Sequence, residues 1–159
     1  MTICCENELL VSSQNEEQLE NFIRKMTGTV NNSTMSLNNF LPCPDELLEL
    51  DRSNKELSHD ECDKLVAKYG YSNRHDWEET NWGTSPDIEC GELRGIDTFI
   101  TIKFLSCWSP PLKWLSTTVM EYPDLHFRLK YDDPLRGIMG IFIAHGKNIF
   151  DKCIEYEDR

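Results

Sequence analysis

The chain holds seven cysteines, at positions 4, 5, 43, 62, 90, 107 and 153, and four histidines, so thiol and imidazole chemistry comes first. A zinc site needs paired ligands such as Cys-x-x-Cys or His-x-x-x-His, and neither occurs. His59 and Cys62 lie one helical turn apart, a metal edge with no second pair. Cys4 and Cys5 point to opposite faces if their segment is a strand. The sequence predicts no metal and no cofactor. A Cys–His dyad needs a proximity that spacing alone does not supply, and buried, inert thiols are the usual outcome. His75, Asp76, Glu78 and Glu79 offer acid–base groups, but in a charged helical segment that reads as solvated. No Gly-rich phosphate loop or nucleophile elbow is present. No catalytic residue is assigned, and the expectation leans to binding rather than catalysis.

The residues left to do that binding are acids and tryptophans. Acidic residues number 28 against 16 Lys plus Arg, a net charge of −12 over 159 residues. Residues 1–60 carry −7, residues 61–96 carry −4 and residues 97–159 only −1. Such a balance argues against a sequence-independent grip on nucleic acid or anionic lipid, because both need clustered positive charge. It suits either a solvated surface or an acidic face that docks on a basic one. The candidate contact residues are Asp45, Glu46, Glu49, Asp60 and Asp63, with Trp77 and Trp82 as an aromatic patch. Trp82, in Asn81-Trp82-Gly83-Thr84, reads first as a plug between helices and sheet and only second as part of that patch. Trp108 reads as a packing anchor. Arg94, Lys103, Arg128 and Lys130 are the available phosphate partners, with no sign in the sequence that they converge. Phe127-Arg128-Leu129-Lys130-Tyr131 is the nearest approach to an RNA-recognition strand, yet Phe127 and Tyr131 share a face with Leu125 and Leu129 and read as core.

These residues need elements to hold them. Residues 3–11 read as a strand with Ile3, Cys5, Leu9 and Val11 on one side. Ser13-Gln14-Asn15-Glu16 reads as a capping box, followed by Leu19, Phe22, Ile23 and Met26 at helical spacing and a stop near Gly28. A polar loop over 29–34 leads to an extended piece at 35–41. Pro44-Asp45-Glu46 starts a helix, Ser58-His59-Asp60-Glu61 caps another that stops at Gly70, and 75–80 adds a further turn. The period then switches. Ile100, Ile102 and Phe104 mark a strand; Ser109-Pro110 opens a helix with Leu112, Leu115, Val119 and Tyr122 inward; residues 125–131 alternate strictly. Strands follow at 138–144 and, as an edge, at 149–156. The order implies an α+β ferredoxin-like sandwich: an antiparallel sheet with helices on one face, a single domain over 1–159, and a helical, acidic insertion at about 42–86.

Short pieces along the chain resemble the YubB-type family of plasmid and phage accessory proteins. They are Cys5-Glu6-Asn7-Glu8-Leu9, Leu41-Pro42-Cys43-Pro44-Asp45-Glu46-Leu47, Asn81-Trp82-Gly83-Thr84, Trp108-Ser109-Pro110-Pro111, and the glycines of Arg136-Gly137-Ile138-Met139-Gly140. The resemblance implies a ferredoxin-like C-terminal part and an accessory-gene setting, and brings no established chemistry. Where relatives continue with Lys-Trp after Trp-Gly-Thr, this chain has Ser85-Pro86-Asp87.

The expectation is a non-enzymatic binding protein of a mobile element that inhibits a host immune protein, such as a CRISPR-type or other nuclease, through a basic surface on that partner. The odd cysteine count, the lack of a signal-like N-terminus and the lack of any span of about 18 apolar residues point to the host cytoplasm, with no membrane contact. The sequons at Asn31 and Asn32 are then chance matches. The alternative is a small-ligand (nucleotide signal) sponge or an uncharacterised enzyme, with an RNA-binding module behind both.

Overall fold

A computed structural model describes residues 4–27, 35–88 and 91–157. The helix stop at Gly28, the loop and sequons at 29–34, Ile3 and Cys90 lie outside the described residues. Strand β1 (Cys4–Ser12) leads into helix α1 (Glu16–Thr27). A single 3-10 turn (Leu37–Asn39) and three helices follow: α2 (Asp45–Ser53), α3 (His59–Tyr69) and α4 (Arg74–Asn81). The hairpin β2 (Gly91–Ile96) and β3 (Phe99–Cys107), helix α5 (Leu112–Glu121) and strands β4 (His126–Asp133), β5 (Ile138–His145) and β6 (Asn148–Glu155) complete the chain. The strands form one six-stranded sheet in the order β2-β3-β1-β4-β5-β6, antiparallel at every junction. Strand–helix–hairpin–helix–strand with β1 and β3 central is the ferredoxin-like arrangement, and β5 and β6 extend it.

Alternation decides which side of the sheet is dry. Cys5, Leu9 and Val11 of β1, Ile100, Ile102 and Phe104 of β3, and Phe127, Leu129 and Tyr131 of β4 all point to one face and are buried. Leu19, Phe22 and Met26 of α1 and Trp114, Leu115 and Val119 of α5 cover that face. Phe22 reaches the sheet with its ring 5.6 Å from Phe127, and meets Tyr122 edge-on at 5.3 Å. The strands expected at 3–11, 99–105, 125–131, 138–144 and 149–156 are thus present, the last as an edge.

Four local expectations need correction. Residues 35–41 are not extended: the Asp87 carboxylate accepts from the Ser36 hydroxyl (2.7 Å) and the Leu37 and Asn38 amides (2.7 and 3.1 Å) and winds them into the 3-10 turn. The second strand is β2 instead, hidden in the sequence by two glycines and two charges. Helix α1 is capped by Asn15, whose side-chain oxygen accepts from the Glu17 amide at 3.1 Å, while Ser13 holds the Asn15 amide. Helix α5 begins after Pro111 without a side-chain cap, because the Ser109 hydroxyl is spent on the Gly83 carbonyl.

The capping box at Ser58 and Glu61 forms with both reciprocal hydrogen bonds, and α3 ends on Gly70 at φ 84°, a left-handed position that favours glycine. In β5, Gly140 lies under the Tyr131 ring, where a Cβ would come within 2.2 Å of its carbons. That close approach explains a glycine in the return strand.

Candidate functional site

The helices between α1 and β2 carry the acids. Asp45 and Glu46 sit in the first turn of α2, where negative charge suits the helix dipole, and Leu47 anchors the helix in the core. Asp60 lies in the first turn of α3 and Leu65 is that helix's buried anchor. Asp45, Glu46, Glu49, Asp60 and Asp63 are all exposed. They are not equivalent. Glu46 accepts from the Tyr69 hydroxyl at 2.7 Å and the Lys68 ammonium at 3.0 Å, which hold its carboxyl below the usual range and tie α2 to α3. Glu49 pairs with Arg52 at 3.4 Å. Asp45, Asp60 and Asp63 have no cation within ion-pair reach among the described residues.

The plug reading of Trp82 agrees with the structure, and the aromatic patch is corrected. Trp77 and Trp82 are 8% and 1% exposed and pack edge to face, with ring centroids 5.8 Å apart. The Trp82 indole N–H donates to the Leu41 carbonyl at 2.9 Å. Both rings belong to the core, since their area is worth more buried beneath α4 than in water. The exposed tryptophan is Trp108, 54% exposed at φ 69°, and so not the packing anchor its position suggests.

Glu78, read as solvated, is 1% exposed. The Ser85 hydroxyl donates to it at 2.7 Å, and Arg74 stands 3.6 Å from its other oxygen and 3.4 Å from Asp51. Burial raises its pKa, opposed by Ser85 and Arg74. Ser85 and Asp87 are therefore the residues that hold Glu78 and the 3-10 turn. Burial also pushes the Cys5 and Cys43 thiols up to about 12, which keeps both protonated at neutral pH. Among the described residues no three His, Cys, Asp or Glu side chains cluster as metal ligands. No helix there is long and apolar enough to cross a membrane.

The second surface is the side of the sheet away from α1 and α5. Its register places Glu92, Lys103, Glu8, Lys130, Ile141 and Lys152 in one row across all six strands. The neighbouring row runs Arg94, Thr101, Leu10, Arg128, Ile143 and Phe150. So the four cations singled out in the sequence do share one face, which alternation within each strand hinted at but register between strands decides. Glu8 lies 3.7 Å from Lys103 and Glu92 lies 2.6 Å from Arg94. A groove of about 1190 Å³ crosses this face, lined by Glu8, Lys103, Leu105, Lys130, Met139 and Ile154 among others. Ile96, Phe99, Leu105, Met139, Ile143 and Phe150 stand exposed on it.

No curated protein matches the chain. The crystal structure of protein api92 from Yersinia pseudotuberculosis is similar in fold: TM-score 0.58 at 11% identity, covering 100% of this chain and 99% of that one. Residues 87–159 match the family described as the ferredoxin-like domain in Api92-like protein, so the chain is a ferredoxin-like α+β protein whose last 73 residues are similar to that family.

Proposed function

We propose that this chain is a non-enzymatic binding protein whose acidic helical side docks on a partner protein with a basic surface. In the same proposal it serves a phage or plasmid as a counter-defence factor, occupying a host immune protein such as a CRISPR-type or other nuclease in the host cytoplasm. The observation that supports the contact is the segregation of charge. Residues 35–88 contain 12 acids and 5 bases, and Asp45, Asp60 and Asp63 keep their charge free of cations among the described residues. Unpaired surface charge of one sign steers a complementary partner and sets its on-rate. The accessory-gene setting rests on the short sequence pieces alone.

The test begins with capture from a phage- or plasmid-bearing host, identification of the captured protein, and a salt titration with both proteins purified. Affinity should fall steeply with salt, and Asp45→Lys, Asp60→Lys and Asp63→Lys together should weaken binding at least tenfold while circular dichroism stays unchanged. Affinity that is flat in salt and indifferent to the reversal removes the acidic contact. Glu46 is left out because its loss would unclip α2 from α3.

One observation favours a second reading: the gathering of Arg94, Lys103, Arg128 and Lys130 on the grooved sheet face suits a small anionic ligand such as a nucleotide signal. Nucleotides that raise the melting temperature support it; a uniformly unmoved melt removes it.

A further inference from the structure

We infer that the open face of the sheet is a self-association surface that receives a second copy of this chain, related by a two-fold axis parallel to the strands and lying between β1 and β4. The inference is independent of the acidic helical contact. Its first support is area. Six strands at a spacing of about 4.8 Å and eight residues at about 3.3 Å make a face on the order of 700 Å². A stable interface buries about 800 Å² per partner, so this face alone is close to sufficient. Exposed Ile96, Phe99, Leu105, Met139, Ile143 and Phe150 give it more large apolar side chains than scattered surface residues account for.

Charge is the second support, and it selects the occupant. The face carries Arg94, Lys103, Arg128, Lys130 and Lys152 against Glu6, Glu8, Glu92 and Asp132, so two copies meet where the chain's net −12 is not expressed. The axis lays β1 of one copy over β4 of the other, β3 over β5 and β2 over β6. In the row Glu92-Lys103-Glu8-Lys130-Ile141-Lys152, Glu8 then faces the second copy's Lys130 and Glu92 faces its Lys152. One row further along, Leu105 meets Met139. The match is best at Glu8 and Lys130, next to the axis, where the roughly 30° angle between stacked twisted sheets displaces residues least. Glu6 falls over Asp132, a like-charge pair, and the Tyr156 hydroxyl already engages that Asp132 carboxylate. A two-fold interface must be self-complementary in this sense, and an unrelated partner has no reason to be.

Glu92 and Lys152 supply the test. They lie on opposite edges of one sheet, about 24 Å apart at the usual strand spacing, so complementarity between them acts only across copies. Light scattering should give the full chain about twice its 18.6 kDa at micromolar concentration. Glu92→Lys and Lys152→Glu should each weaken the dimer about tenfold, since each sets like charges against each other twice. Mixing the two variants restores every opposite-charge contact and should restore the dimer. Circular dichroism checks folding, and Glu92→Gln with Lys152→Gln provides a milder pair. A monomeric wild type overturns the inference, and nucleotide stabilisation of that monomer would assign the face to a small ligand instead. Single variants as dimeric as wild type, or a mixture that stays monomeric when both variants alone are weakened, overturn it equally.

Discussion

A carboxylate at 1% exposure must hold its charge against desolvation, and Glu78 has the Ser85 hydroxyl and the Arg74 guanidinium to help it. Burial is the larger effect, so its folded pKa stands above the unfolded value near 4.5. Between those two values the folded state binds more protons than the unfolded state, and stability from this group falls as pH rises. Glu78→Gln removes that loss while keeping an acceptor for Ser85. Its melting temperature relative to wild type should climb between pH 5 and neutrality; a difference independent of pH would show that Arg74 fully compensates the burial. Trp108 is a second residue held against a local preference. A left-handed conformation costs a residue with a Cβ about 1–2 kcal/mol, and its ring, half in water, recovers little of that by packing. Trp108→Gly should therefore raise stability by about 1 kcal/mol in urea unfolding. A loss instead would mean that the indole packs more than its exposure suggests.

At the level of elements, the best test is Asp87, whose one carboxylate organises a turn 50 residues away in sequence. It accepts from Ser36, Leu37 and Asn38, and so seats Leu37, which is fully buried, beneath Trp114. Asp87→Ala leaves two part-buried amides unpaired and should cost about 2–4 kcal/mol. Ser58→Ala, which removes an exposed cap, should cost only about 1 kcal/mol. Equal losses in denaturant titration would refute this ranking. The contrast also explains what was legible in the sequence. The Ser58–Glu61 box, the strand around Leu125–Tyr131 and the inward stripe of α1 are local patterns, and all three stand in the structure. The 3-10 turn is not legible locally because its determinant lies at Asp87. Strand β2 was missed because Gly91 and Gly95 and the charges Glu92 and Arg94 suit an edge strand, whose pairing with β3 supplies what propensity lacks. The exposure of acids and the plug reading of Trp82 could be had from the sequence, but not the capture of Glu46 by Tyr69 and Lys68, nor the burial of Trp77 and Glu78. Each of those depends on which helix packs beside which.

For the whole molecule, the decisive fact is where β1 sits. The segment similar to the ferredoxin-like family runs over 87–159 and contains five of the six strands, yet β3 and β4 do not touch each other in the sheet. Their shared neighbour is β1, which hydrogen-bonds to both along most of its length and places Cys5, Leu9 and Val11 at the middle of the core. Helix α1 adds Leu19, Phe22 and Met26 to the same layer. A fragment of residues 87–159 keeps the β2–β3 hairpin, α5 and the β4–β5–β6 meander, but exposes the two edges that β1 fills and the part of the inner face that α1 covers. A two-stranded hairpin is marginal alone, without β1 nothing joins it to the meander, and the unpaired edges invite aggregation. The fragment should therefore lack a cooperative thermal transition, while mixing it with a peptide of residues 1–27 should restore one, because β1 and α1 together return the missing strand and its cover. A fragment that melts cooperatively by itself would mean that β3 and β4 can close on each other directly, and that the central strand is an addition to the fold rather than its keystone.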